Sequence, residues 1–119
     1  MKKNIVITFD DGYKDILINA LPLLKKYNFK AICYVVSDLV GKENIWDLNK
    51  KKFLKKELMS KNDIIEWISE GMTIGSHSHN HVNLCDLNLS QINEELKNSK
   101  YELENITGIK IKSFSYPYG

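Results

Sequence analysis

Ala31 to Val36 is an unbroken apolar run, and a short β-branched run without polar alternation is the pattern of a parallel strand covered on both faces. The rest of the chain is read around that strand. Asn4 to Phe9 reads as a second buried strand, ending at Asp10. Between them Leu17, Ala20, Leu21 and Leu24 fall at the i, i+3, i+4, i+7 spacing of a helix. Pro22 fits if that helix starts just before it, capped by Asn19, and Asn28 suits the left-handed residue past its end. Strand, helix, strand makes a βαβ unit. Further on, Ser60 and Asp63 have capping-box spacing and open a helix whose Ile64, Ile65 and Ile68 face inward and which stops at Gly71. Met72 to Gly75 is a third strand. Ser90 caps a long helix carrying Ile92, Leu96, Leu103 and Ile106, Gly108 ends it, and a fourth strand follows near Ile111 to Ser115. The alternation predicts an α/β fold with parallel strands joined by right-handed crossovers.

At 119 residues the chain is one domain at most, about half the length of a typical (β/α) barrel near 250 residues. All 17 basic residues are lysines and the formal charge is only +2. Arginine is the usual bidentate reader of guanine and phosphate, so its absence argues against sequence-specific nucleic-acid binding. No apolar run reaches the roughly 18 residues of a spanning helix, so no membrane segment is expected. Lys2 and Lys3 precede only the short run Ile5 to Ile7, too brief for a signal-peptide core, and the chain as written is expected to be soluble and cytoplasmic. Cys33 and Cys85 have no CxxC pairing and read as small buried hydrophobes rather than a disulfide or zinc pair. The segment from about 41 to 59 is an excursion from the strand–helix repeat. Its lysines at 50, 51, 52, 55 and 56 read as a solvated loop or short helix, with an anionic-partner patch as the alternative.

Three polar clusters each follow a predicted strand: Asp10-Asp11-Gly12, His77-Ser78-His79-Asn80-His81 and Tyr116-Pro117-Tyr118-Gly119. In a parallel α/β sheet the carboxyl ends of the strands share one rim, where such folds keep their active sites. An Asp-Asp-Gly turn on its own is ordinary turn chemistry, but adjacent carboxylates repel, and a nearby cation would stabilise both. His77 and His81 are four apart, which places both imidazoles on one side of a single helical turn. That is the spacing of HExxH zinc sites, although position 78 holds Ser and not the Glu base. Asp11, His77 and His81 would form a two-histidine, one-carboxylate face for a divalent ion, leaving Asp10 as general base. His79 projects differently and reads as packing or support, with a ligand role as the alternative.

Thr8-Phe9-Asp10-Asp11-Gly12, Gly75-Ser76-His77-Ser78-His79-Asn80-His81 and Phe114-Ser115-Tyr116-Pro117-Tyr118-Gly119 resemble, in order, the first three motifs of the polysaccharide deacetylases, the NodB-homology or carbohydrate esterase family 4 enzymes. The excursion with Trp46 and Asp47 is similar to one that many bacterial members carry. The resemblance implies that residues 1–119 are the parallel-stranded first half of a distorted (β/α) barrel. It also implies metal-dependent removal of acetyl groups from an acetylated glycan such as poly-N-acetylglucosamine, a chitin-like polymer or peptidoglycan. By position, Asp10 matches the general base, and Asp11, His77 and His81 match the ligands of a divalent ion, zinc first, with cobalt or nickel as alternatives. Ser78 matches a residue that braces the histidine loop. Tyr118 matches the residue whose backbone N–H meets the oxyanion, and Pro117 shapes that wall.

Two departures from the family pattern stand out. Many members place an arginine, paired with the catalytic aspartate, where this chain has Ser115. The family also continues past the third motif to a late Leu-x-Leu-His whose histidine protonates the leaving amine, so these 119 residues are expected to hold metal and base but not the acid. Family substrates usually lie outside the cytoplasm. The readings to be weighed are a deacetylase, a non-catalytic metal- or glycan-binding remnant, and a small-substrate amide hydrolase of the same superfamily.

Overall fold

The computed structural model describes residues 4–119; Lys2 and Lys3 lie outside the described residues. Three parallel strands, β1 (Ile7–Phe9), β2 (Ala31–Val35) and β3 (Thr73–Ser76), lie side by side in chain order. Ile7 is paired with Ala31, and Cys33 with Ile74. With strands in simple succession, crossovers of one hand place their helices on one face of the sheet. That face carries the core. Leu24 of helix α1 (Leu21–Lys26), Ile64 and Trp67 of α2 (Lys61–Ser69) and Leu103 of α3 (Leu89–Thr107) bury against Ala31, Cys33 and Val35.

Trp67 is fully buried, meets Phe9 edge to face at 6.1 Å between ring centroids, and donates from Nε1 to Thr73 O at 2.9 Å. Burying an indole requires such a partner for its N–H. At Gly75 the sheet tolerates no side chain: a Cβ there would collide with the Tyr34 ring and lie 2.7 Å from Ser113 Oγ.

Several elements differ from their sequence expectation. β1 is shorter than residues 4–9 and pairs only with β2 among the described residues, so Ile5 and Val6 are exposed and not buried. β2 is covered fully on one face only, since Ile32 and Tyr34 are half-buried and Tyr34 turns toward a cleft. Helical winding begins at Lys14, well before Pro22, and no cap forms at Asn19. A π segment, Ile16–Ala20, precedes Pro22, with Leu21 N–H reaching back five residues to Ile16 O. Such a widened turn accommodates a proline that has no N–H to donate.

Ser60 and Asp63 do form a reciprocal capping box, but on α2 it is Trp67 that turns inward, while Ile65 stays 45% exposed. α3 is capped by Asn88, not Ser90, through a second reciprocal box with Gln91. Asn28, Gly71 and Gly108 take the left-handed conformation at their helix ends. The predicted fourth strand is reduced to one parallel bridge between Ser76 and Phe114, flanked by Ser76 N–H to Ser113 O and Ser115 N–H to Ser76 O. Cys33 is buried as expected, whereas Cys85 is exposed.

The excursion folds back on itself. Glu43 bridges Glu57, Tyr13 bridges Leu58, and the buried Asn44 side chain ties Leu54 O to Lys56 N–H. Lys50 pairs with Asp47 and Lys55 with Glu43 within the loop, and Lys56 pairs with Asp15 at the start of the first helical stretch, so these three lysines are ion-paired. None of the helices among the described residues is long and apolar enough to cross a membrane.

Candidate metal centre and active-site cleft

The carboxyl ends of the strands open into a cleft of about 800 Å³ that Asp10, Asp11, His77, His81 and Tyr118 all line. β1 delivers the two aspartates. The chain then turns through successive left-handed residues, Asp11 at φ 73° and Gly12 at φ 76°, which swings the Asp11 carboxylate toward the histidines. β3 delivers His77, whose amide donates to Val35 O at 3.0 Å.

Residues 77–81 do not form the helical turn expected from the spacing. Ser78 and His81 are both left-handed, at φ 64° and 57°, and the segment is a loop. It still brings the two imidazoles together, with ring centroids 5.1 Å apart. Fully buried Ser78 accepts the His81 amide on Oγ at 3.0 Å. The short turn that follows β2 ties the loop from one side, with Ser37 N–H to Ser78 O and Asp38 N–H to His79 O. α3 ties it from the other, because Glu95 Oε2 accepts the amides of His79 at 2.9 Å and Asn80 at 3.0 Å.

Asp11 Oδ1 lies 3.2 Å from His77 Nε2 and 3.1 Å from His81 Nε2. Donor atoms of these three residues all fall within 4.8 Å of one another. On the far side of the ring, His77 Nδ1 is 3.0 Å from Ser115 O. A carbonyl oxygen only accepts, so Nδ1 carries the hydrogen, and in the neutral ring Nε2 then presents a lone pair to the carboxylate. Two lone pairs face each other stably only with a cation between them, a proton or a metal ion. Orientation of a ligating imidazole by a carbonyl on its other nitrogen is the usual support for a metal ligand. The donor set of two imidazoles and a carboxylate therefore fits a divalent transition ion, with the cleft giving access to open positions.

Burial pushes the Asp11 carboxyl up, but with a proton in the gap the hydrogen bonds from His77 and His81 and the accompanying charge outweigh it and hold the group well below the usual carboxylate range. Trp46, brought in by the excursion, stacks on the His81 ring at 4.2 Å, and Tyr118 meets it edge-on at 5.0 Å. His81 Nδ1 is buried and has no partner among the described residues.

Asp10 is exposed in the same cleft. Tyr118 has a left-handed backbone at φ 67°, and the preceding Pro117 is buried. His79 stays outside the cluster, its Nδ1 2.9 Å from Ser37 Oγ and 3.4 Å from Glu102 Oε2. Its geometry is that of a supporting side chain and not of a third imidazole ligand. Sequence reasoning did not identify Glu95, the Ser115 carbonyl or the stacking role of Trp46. Of these, Glu95 left a trace: with Ser99 and Leu103 it lies on the buried stripe of α3, where an acidic residue is out of place.

The sequence profile described as polysaccharide deacetylase matches residues 1–119. The chain is 30% identical over 128 aligned positions to the poly-beta-1,6-N-acetyl-D-glucosamine N-deacetylase of Staphylococcus aureus, covering 99% of this chain and 41% of that protein. Among solved structures it superposes on the Streptococcus pyogenes deacetylase PplD in complex with acetate with TM-score 0.82 and 26% identity, covering 100% of this chain and 48% of that one. With IcaB from Ammonifex degensii the TM-score is 0.83 and the identity 25%, covering 100% and 52%. The parallel α/β arrangement thus corresponds to part of the NodB-type barrel fold of these deacetylases, and the chain spans about half or less of the length of the relatives it matches.

Proposed function

Because the chain belongs to the polysaccharide deacetylase family, we propose that it supplies the metal and base of a hydrolase that removes acetyl groups from an N-acetylated glycan. Poly-N-acetylglucosamine is the first candidate, and a chitin-like polymer or peptidoglycan the next. The observation that carries this reading is Asp11 Oδ1 facing Nε2 of both His77 and His81 at the wall of an open cleft that also exposes Asp10. Asp11, His77 and His81 would hold a divalent ion, zinc before cobalt or nickel for this donor set, which would supply Lewis acidity to the acetyl carbonyl and acidify water.

The remaining steps belong to the chain. Asp10 takes the proton from the attacking water onto its carboxylate. The backbone N–H of Tyr118 donates to the developing oxyanion, and buried Pro117 fixes the wall that aims it. Ser78, through the His81 amide, holds the ligand loop in its strained form. Trp46 and the exposed rings of Tyr116 and Tyr118 line the cleft and give a pyranose apolar faces to lie against.

The test is acetate release from a β-1,6-linked N-acetylglucosamine oligomer by the zinc-loaded protein. The Asp10→Asn variant is expected to lose about 10²–10⁴ in rate while binding zinc as the parent does. Unchanged acetate release in that variant contradicts the assignment of the base. Zinc binding without any hydrolysis by the parent protein would favour a non-catalytic metal- and glycan-binding role.

A further inference from the structure

The loop carrying both imidazoles is gripped from behind by a carboxylate outside the cleft. Glu95 is buried at 9% exposure, and its oxygens accept three N–H groups: His79 N and Asn80 N on Oε2, and Asn80 Nδ2 on Oε1 at 2.6 Å. No lysine or histidine pairs with it among the described residues. Its whole polar environment is the tip of the loop, which is a costly use of a buried carboxylate unless the geometry it holds matters.

That geometry is unusual. Between His77 and His81 the backbone passes through the left-handed region at Ser78 and again at His81 itself, conformations that non-glycine residues adopt only when their surroundings impose them. Glu95 binds the two amides lying between those residues. The rest of α3 is anchored independently: Ser99 Oγ and Ser76 Oγ lie 2.7 Å apart in a buried contact, and Leu103 is fully buried in the core. The helix is therefore a fixed post, and Glu95 is the point at which it holds the loop.

We propose that Glu95 is a positioning residue for the metal centre, setting the 77–81 loop so that both Nε2 atoms face Asp11. This rests on the reading of Asp11, His77 and His81 as metal ligands and adds to it the residue that presents the histidines. Glu95 touches neither the donor atoms nor the cleft.

The experiment is titration of the protein with Co(II), following the visible absorption band of the bound ion, on the parent, Glu95→Ala, Glu95→Gln, Glu95→Asp, Leu103→Ala and His77→Ala. Loss of a group that orients metal ligands typically weakens affinity by about 10–100-fold, and that is the loss expected for Glu95→Ala, together with an altered band. Glu95→Gln keeps an acceptor for both amides and is expected to return to within about threefold of the parent. Leu103→Ala removes core packing on the same helix, so it should lower the melting temperature without changing affinity or band. Should Glu95→Ala fail to fold, Glu95→Asp decides, because it keeps the charge but draws it back by one methylene. Its expected loss is at least about tenfold, and a folded Glu95→Asp with parental affinity and band overturns the proposal. So does a Glu95→Ala that binds normally, or one whose loss is matched by Leu103→Ala. If the parent shows no saturable Co(II) binding, or His77→Ala leaves it intact, the metal reading itself falls and takes the positioning role with it.

Discussion

Asp11, Ser78, His81 and Tyr118 are four of the five non-glycine residues with positive φ among the described residues; the fifth, Asn28, ends a helix. Residues in this region cost of order 1–3 kcal/mol each and cluster where function over-determines the backbone. Here the compensation is visible in part, since Ser78 Oγ accepts the otherwise unpaired His81 amide. Ser78→Ala leaves that buried N–H unsatisfied and is expected to destabilise the fold by about 1–3 kcal/mol in urea denaturation; a change below about 0.5 kcal/mol, the range of ordinary surface substitutions, would show that the contact is dispensable. The cysteines separate at the same scale. Burial pushes the Cys33 thiol from its ordinary 9.0 up to about 12, while Cys85 is exposed. One thiol per chain should react rapidly with a disulfide reagent at neutral pH, and the second only on unfolding; two fast thiols would contradict the burial. Because the folded state holds the Cys33 proton more tightly, its contribution to stability is complete below pH 9 and is lost as pH rises toward about 12.

At the scale of elements, what could be read in advance was what local chemistry decides. The Ser60–Asp63 box and the left-handed stops at Asn28, Gly71 and Gly108 depend on residues a few positions apart. The start of α3 shows how narrow the margin is: Asn88 and Ser90 are both good caps, and Gln91 three residues after Asn88 selects the former by completing the reciprocal box. Asn88→Ala is therefore expected to cost about 0.5–2 kcal/mol and Ser90→Ala almost nothing, as measured by chemical denaturation; the reverse order would place the cap at Ser90. Features set by distant partners were not legible. The run after Gly108 has strand-like residues but finds only Ser76 to bridge, and the apolar stretch at Ile5 and Val6 is exposed because β1 has a neighbour on one side only among the described residues. Glu95 and Ser99 sit on the buried stripe of α3, but what they hold was not legible because their partners lie on β3 and its following loop.

At the scale of the molecule, the cleft exists because parallel strands end on one rim. Asp10 and Asp11, the histidine loop and the Tyr118 wall are separated by more than sixty and then more than thirty positions in sequence, yet share one cavity. That convergence was legible from strand–helix alternation, whereas the third dimension of the cleft, the stacking of Trp46 over His81, was not, since it comes from the excursion folding back on Tyr13. The radius of gyration, 14.6 Å, exceeds the roughly 13.5 Å of a closed domain of this length, in keeping with a sheet that is not closed on itself. Calorimetric titration with zinc tests most directly whether Asp11, His77 and His81 together hold one divalent ion: one saturable site per chain is expected, lost in His77→Ala and in Asp11→Asn and retained in Asp10→Asn, whereas absence of saturable binding, or binding indifferent to His77 and Asp11, would contradict it.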